Sequence, residues 1–291
     1  TYPLDLAFCS SCSLVQIVEN VPPEELFSHY NYFSSFSDTM VRSAEHLSQR
    51  LVKEHNLNAH SLVVEIASND GYLLKHYQKQ GVPVLGIEPA TNIAAVAEKN
   101  GVPTKCCFFE PQLAHELLRE GRQASILHAN NVLAHVADLN GTAAGIALVL
   151  KPDGVAVIEV PYIRDLIDKC EFDTIYHEHL CYFSLTALSQ LFSRNGLAIS
   201  DVEHLPIHGG SLRVFVVKGE VIPSNRVEDL LALEKSTGML TYHYYSSFAE
   251  KIKTLHDELL KLLTKLKSEG KRLAAYGASA KGSTLLNVFG I

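Results

Sequence analysis

The chain has 291 residues, with 25 Lys and Arg against 32 Asp and Glu and 47% apolar residues. A formal charge of −7 without a long basic run argues against nucleic acid as a ligand, and there is no apolar run of membrane-spanning length. The length suits one large or two modest domains with a real core. Six scattered cysteines and no signal peptide make a reduced cytoplasm the expected location.

The chain begins at Thr1 rather than Met and stops soon after a Gly-rich turn, so a piece of a longer protein is expected. A short apolar strand leads into Cys9-Ser10-Ser11-Cys12. One CxxC supplies two thiolates and a structural zinc needs four ligands. Cys9 and Cys12 are therefore expected to hold metal only with a second pair upstream; the alternative is a plain turn. Pro22-Pro23-Glu24-Glu25 opens a helix. The stretch His29–Ser37 is dense in aromatics and hydroxyls without a helical period. It reads either as packing over a sheet edge or as a substrate wall carrying phenols. A helix from Asp38 to about His55 follows.

Ser61–Ala67 reads as a buried strand running into Ser68-Asn69-Asp70-Gly71 and then a helix. That is how a doubly wound sheet opens a nucleotide site. Glu65 and Asp70 would repel a pyrophosphate, so a cationic or neutral ligand fits better. The next strand, Val84–Ile87, ends in Glu88 and Pro89. An acid there can accept both hydroxyls of a ribose. An adenosine ligand with a positive centre and no phosphates is S-adenosylmethionine, with Asp70 or Glu65 at its charged end and Glu88 on its ribose.

The alternation continues with a strand near Thr104–Phe109, a helix near Pro111–Glu120 and a strand from Ser125. The carboxyl end of the last brings Asn130, Asn131 and His135 towards the ligand edge, although His135 alone reads equally well as structural. After a strand at Gly154–Tyr162 comes Thr174–Phe183, which holds Tyr176, His177, Glu178 and His179. Such a cluster is costly in a fold unless paired and is suited to proton transfer; the alternative is a solvated loop. A helix (Leu185–Asn195) and two strands (Leu197–Leu205, Ser211–Lys218) around a turn with His208 close the sheet. Beyond Gly219 a linker leads to a helical region and an amphipathic helix, Phe248–Lys267. Arg272–Thr284 reads as a second strand, Gly turn and helix, basic and suited to phosphate through Lys281, Ser283 and Thr284, although the spacing is not a P-loop.

Several of these motifs together resemble the sugar-nucleotide 3-C-methyltransferases of deoxysugar biosynthesis, over nearly the whole chain. The first are Tyr2-Pro3-Leu4-Asp5-Leu6 with Cys9-x-x-Cys12, Tyr30-x-Tyr32-Phe33-Ser34-Ser35, and the run from Glu65 to Gly71. The others are Asn130-Asn131-Val132-Leu133-Ala134-His135, Tyr176-His177-Glu178-His179, and Tyr276-Gly277-Ala278-x-Ala280-Lys281-Gly282. Singly, only the Tyr-x-Glu-His run is specific.

The resemblance implies an α/β chain with the Rossmann-like seven-stranded sheet of a class I methyltransferase. It implies a partial zinc-ribbon lobe (1–20), a methyltransferase domain (21–220) and a truncated C-terminal helical and α/β lobe (221–291). His179 would be the general base, with Tyr176 and Glu178 beside it and His135 and Tyr30 (Tyr32 being the alternative phenol) at the sugar. S-adenosylmethionine would be held by Glu65, Ala67, Ser68, Asn69, Asp70, Gly71, Glu88, Pro89, Asn130 and Asn131, and the substrate by Tyr32, Ser35, His208 and Lys281. Zinc would belong to a parent carrying both Cys pairs. The expected reaction is methylation of the carbon alpha to a ketone in a nucleotide-linked deoxysugar, through a base-generated enolate, in a monomer without nucleic-acid or membrane partners. The alternatives are an O- or N-methyltransferase on a related small molecule, or a non-catalytic relative. One departure is Ala67, which stands where many methyltransferases have Gly.

Overall fold

A computed structural model describes residues 3–277 and 280–291; Tyr2, Ala278 and Ser279 of the quoted motifs lie outside them. The N-terminal part holds β1 (Leu6–Phe8), β2 (Val15–Ile17), α1 (Pro23–Phe27) and α2 (Asp38–Glu54). The alternating part then runs β3 (Val63–Ile66), α3 (Leu74–Gln78), β4 (Val84–Ile87), α4 (Thr91–Lys99), β5 (Thr104–Lys105) and α5 (Pro111–Arg119). It continues through β6 (Ala124–Asn130), α6 (Leu139–Val149), β7 (Leu150–Pro161), α7 (Ile163–Asp168), β8 (Cys181–Tyr182), α8 (Leu185–Arg194), β9 (Leu197–Leu205) and β10 (Ser211–Lys218). Four helices end the chain: α9 (Asn225–Ser236), α10 (Tyr242–Ser246), α11 (Phe248–Ser268) and α12 (Ala280–Phe289).

Seven strands form one sheet in the order β5-β4-β3-β6-β7-β10-β9. The first five and β9 run in one direction, and β10, between β7 and β9, runs antiparallel to both. The central strands read as unbroken apolar runs because both faces are covered; all four residues of β3 are buried. Strand periodicity splits them between two cores. Val63 faces α2, α3 and α4, whereas Val64 and Ile66 face α5, α6 and α8. The strand order reverses between β3 and β6, so a crevice opens outside their carboxyl ends.

The helices that frame the crevice are capped by their own sequence. Ser37 Oγ accepts from Met40 N at 3.3 Å to start α2, and Ser184 Oγ accepts from Ala187 N at 3.1 Å to start α8. The β1–β2 hairpin adds to β8, with Val15 opposite Tyr182 and Gln16 opposite Cys181. The N-terminal hairpin thus props the strand that follows the 174–180 loop.

Two expectations shift. The strand expected over Thr104–Phe109 stops at Lys105, which leaves residues 106–110 as a βα turn at the carboxyl edge. Residues 271–277 form no strand: they are exposed and pair with no described strand, and a lone edge segment does not hold strand conformation. The helix expected after them does form, as α12.

Candidate active site

The carboxyl ends of β3, β4, β6 and β7 border a cavity of about 780 Å³. Its wall at the sheet carries Ala67, Asn69, Glu88, Pro89, Asn130 and Asn131. Non-glycine residues seldom adopt a left-handed backbone, and such residues cluster where function demands an awkward turn. Seven do so among the described residues, and Ala67, Asn69, Asn131 and His208 of these line the cavity. Gly71, just behind the wall, needs to be glycine twice over: its φ is +77°, and a Cβ would stand 2.7 Å from Val102 Cγ2.

Glu88 is buried and holds two backbone donors, Asn69 N at 2.9 Å and Ala90 N at 2.8 Å. Burial raises its pKa, and those two bonds pull back against it. The structure places Glu65, Ser68, Asp70 and Gly71 behind the wall rather than in it. Glu65 shares the α2–α3 face of the sheet with His128 of β6, its cross-strand partner. Burial, with Glu88, Asp70 and Glu159 adding repulsion, pushes the Glu65 carboxyl well above the usual range, which favours its neutral form. Glu65 Oε2, Asp70 Oδ1, Ser68 Oγ and Asn130 Oδ1 are buried without a protein partner, and Asn130 lines the cavity. Asn69 is differently engaged. Its Oδ1 accepts from Ser34 N and Asp70 N, both at 2.9 Å, and its Nδ2 donates to Tyr32 O at 3.0 Å.

The opposite wall is the loop between α7 and β8. His179 Nδ1 lies 3.0 Å from Thr174 O. A carbonyl only accepts, so Nδ1 carries the proton and Nε2 holds a free lone pair, which receives the Tyr176 hydroxyl at 3.2 Å. The same logic makes His135 Nδ1 a donor to Glu178 O at 2.6 Å. The His135 and His179 rings stand 5.0 Å apart and edge-on. Burial, with His135 adding to it, pulls the His179 pKa down to about 3, and burial lowers His135 as well. Burial, with Glu178 next, raises Tyr176 to about 12. Tyr30 comes from the far side and donates to Glu178 Oε2 at 3.5 Å; burial and Glu178 raise its pKa too. Burial also raises Glu178, with the Tyr30 bond opposing. The site therefore joins a neutral imidazole nitrogen to two protonated phenols in a poorly hydrated space. Such a set can take a proton from a substrate and donate hydrogen bonds to an oxygen that gains charge.

His177 faces away and meets Pro3 O at 3.1 Å. Tyr32, His208 and Lys281 line the cavity, and Ser35 does not, although its neighbour Ser34 does. Burial, with Lys281 next, lowers the His208 pKa. Cys9 and Cys12 are free thiols in the turn between β1 and β2. Backbone N–H groups of Cys12 and Ser11 lower the Cys9 pKa, which suits a thiolate. Among the described residues no group of three or more His, Cys, Asp or Glu is placed to hold a metal, so two thiols alone fall short of a tetrahedral zinc set.

Sequence reasoning passed over Phe108, Phe109 and Gln112, which also line the cavity. The signal existed: the same carboxyl-edge rule applied to a shorter β5 reaches them. Phe27 was missed as well. Its ring lies edge-on to His135 at 5.4 Å and to Tyr30 at 5.8 Å.

Comparison with known proteins adds the following. Residues 37–202 match the model of a methyltransferase domain, and residues 206–291 match that of a C-methyltransferase C-terminal domain. The chain is 34% identical over 294 residues to C-methyltransferase NovU of Streptomyces niveus, covering 100% of this chain and 70% of that protein. Among solved structures, magnesium protoporphyrin IX methyltransferase of Synechocystis PCC 6803 with bound SAM is 13% identical, with 62% of this chain and 79% of that one covered and a TM-score of 0.47. An S-adenosylmethionine-dependent methyltransferase of Clostridium acetobutylicum ATCC 824 is 10% identical, with 62% and 92% covered and a TM-score of 0.49. Likenesses this distant carry nothing about activity.

Proposed function

The chain belongs to the C-methyltransferase family, and on that premise we propose that it transfers a methyl group from S-adenosylmethionine to the carbon beside the ketone of a nucleotide-linked deoxysugar. The observation that carries this reading is the Tyr176–His179 pair: a part-buried histidine in the cavity wall whose Nε2 accepts the Tyr176 hydroxyl. The cofactor suits the near wall, where Glu88 and the unpartnered Asn130 Oδ1 present acceptors. Lys281, the sole Lys or Arg among the described lining residues, lies instead beside His208. Glu88, Asn130, Asn131 and the main chain at Ala67–Asn69 would hold the cofactor, which when bound supplies an electrophilic methyl on a sulfonium.

The protein's own residues supply the nucleophile. A carbon attacks a methyl only after it loses a proton, and His179 Nε2 takes that proton once substrate displaces the Tyr176 hydroxyl. Burial, with His135 adding to it, disfavours an imidazolium at His179 and holds its pKa near 3. An enolate forming beside it reverses that penalty, because opposite charges attract strongly where water is excluded. The imidazolium is then stabilised only as the reaction proceeds, which is what accelerates a step. Tyr176 and Tyr30 keep their protons and donate to the enolate oxygen. His208 and Lys281 extend the far wall, where a cation suits the phosphates of the nucleotide.

The test is incubation with cofactor carrying a labelled methyl group and a nucleotide-linked keto-deoxysugar, with the label located by NMR. Label on carbon supports the reading; label on oxygen or nitrogen, or no transfer, rejects it. His179→Asn is expected to lower turnover at least about 100-fold, with cofactor affinity by calorimetry within about twofold of the parent. A wild-type rate would remove His179 from the role of base.

A further inference from the structure

Residues 28–34 lead from α1 into a 3-10 turn at Ser34–Phe36 as an irregular strap that pairs with no described strand, and Tyr30, Tyr32 and Ser34 of it line the cavity. Backbone polar groups still need partners there, and side chains supply them. Tyr30 gives both of its main-chain groups to one residue: its N–H donates to Asn92 Oδ1 at 3.1 Å and its carbonyl accepts from Asn92 Nδ2 at 2.6 Å. On one side, Ser28 O accepts from Thr91 N at 3.2 Å. On the other, Tyr32 O and Ser34 N are held by the Asn69 amide. Contacts to α4 and to the turn after β3 thus hold residues 28, 30, 32 and 34, and two side-chain amides, Asn92 and Asn69, make most of them.

Asn92 stands in the first turn of α4, just past the carboxyl end of β4. It does not line the cavity. Its grip reaches the chemistry through Tyr30, whose phenol reaches inward to Glu178. We infer that Asn92 is a positioning residue whose side-chain amide, closed on the main chain of Tyr30, fixes the strap and sets the Tyr30 phenol against Glu178. The part of this that concerns turnover rests on the function proposed above; the clamp itself does not.

Two measurements on the full chain test it. In hydrogen exchange of the ligand-free protein, Asn92→Leu is expected to speed exchange across residues 28–34 about tenfold while β3 and β4 exchange as before. In the methyl-transfer assay, Asn92→Leu is expected to lower kcat about tenfold, since small misplacements of a reacting group cost that much or more, and to leave the KM for S-adenosylmethionine unchanged. Combined with Tyr30→Phe, it should add little further loss, because both changes act through one phenol. Strap exchange at the wild-type rate overturns the clamp. A loss of kcat that multiplies in full with Tyr30→Phe overturns the positioning role. Should Asn92→Leu fail to fold, Asn92→Asp keeps the acceptor for Tyr30 N–H and loses the donor, and the same comparisons decide. A wild-type protein that transfers no methyl group sinks the proposed function, and the exchange measurement still decides the clamp.

Discussion

Ala67 turns the chain out of β3 with φ at +50°. A Cβ in that region costs about 1–2 kcal/mol, while glycine costs about 0.5–1 kcal/mol in chain entropy. Ala67→Gly is therefore expected to stabilise the protein by about 0.5 kcal/mol, seen as a raised urea midpoint; a lowered midpoint would mean the methyl group packs more than it strains. The residue was legible as a departure from glycine, but its strain was not, because φ depends on how β3 meets the turn. The roles of neighbouring residues were less legible still. Asn69 and Glu65 both read as cofactor ligands from their place in the turn. In the fold Asn69 lines the cavity and its side chain also secures the strap, whereas Glu65 lies on the far side of its own strand. A strand reverses its side chains at every residue, so a shared turn does not mean a shared cavity.

At the scale of elements, the helix starts carry the most legible signals, and one of them is completed from afar. Ser184 caps α8 as its sequence position indicates. Glu234 of α9, fully buried, then accepts from Leu185 N at 2.7 Å, Thr186 N at 2.8 Å and Thr186 Oγ1 at 2.6 Å. A carboxylate at a helix N-terminus meets both the free N–H groups and the helix dipole. It also pins the C-terminal helices to the sheet domain. Glu234→Ala should cost about 2–3 kcal/mol, since it strands one buried and two part-buried donors; a loss under about 1 kcal/mol in urea melts would show the cap to be idle. Nothing local to Glu234 announces this, because its partners lie 48 and 49 residues away. The row Glu159, Arg213 and Glu203 is similar. Strand register sets the three side by side, Arg213 donates to both acids, and Glu203 also holds Arg50 of α2.

At the scale of the whole molecule, buried histidines tie stability to pH. His128 is fully buried beside Tyr77, and burial, with Arg213 adding, pulls its pKa down to about 3. In the unfolded chain it titrates near the ordinary 6.5. The unfolded state therefore binds the extra proton between those values. The stability that belongs to the neutral ring is whole above pH 6.5 and drains away as pH falls towards 3, at up to about 1.4 kcal/mol per pH unit. His179 is depressed in the same direction. Buried Glu65, held neutral in the fold, acts in the opposite sense, so the contribution of His128 is read by difference: between about pH 7 and pH 5 the stability gap between the wild type and His128→Gln is expected to shift against the wild type as pH falls. An equal pH slope in the two proteins would contradict this.

The sequence by itself determined the alternating strands and helices, the carboxyl-edge placement of Glu88, Asn130, Asn131 and His135, and the polar 174–179 loop. All of these follow from periodicities and turn residues confined to a few positions. Only the tertiary structure decided which nitrogen of His179 is free, that β5 ends early enough to place Phe108 and Gln112 on the cavity, and that Asn69 and Asn92 hold the strap carrying Tyr30. Each of those depends on a hydrogen bond or a strand end set by partners distant in sequence, and a chain reveals such partners only once it is folded.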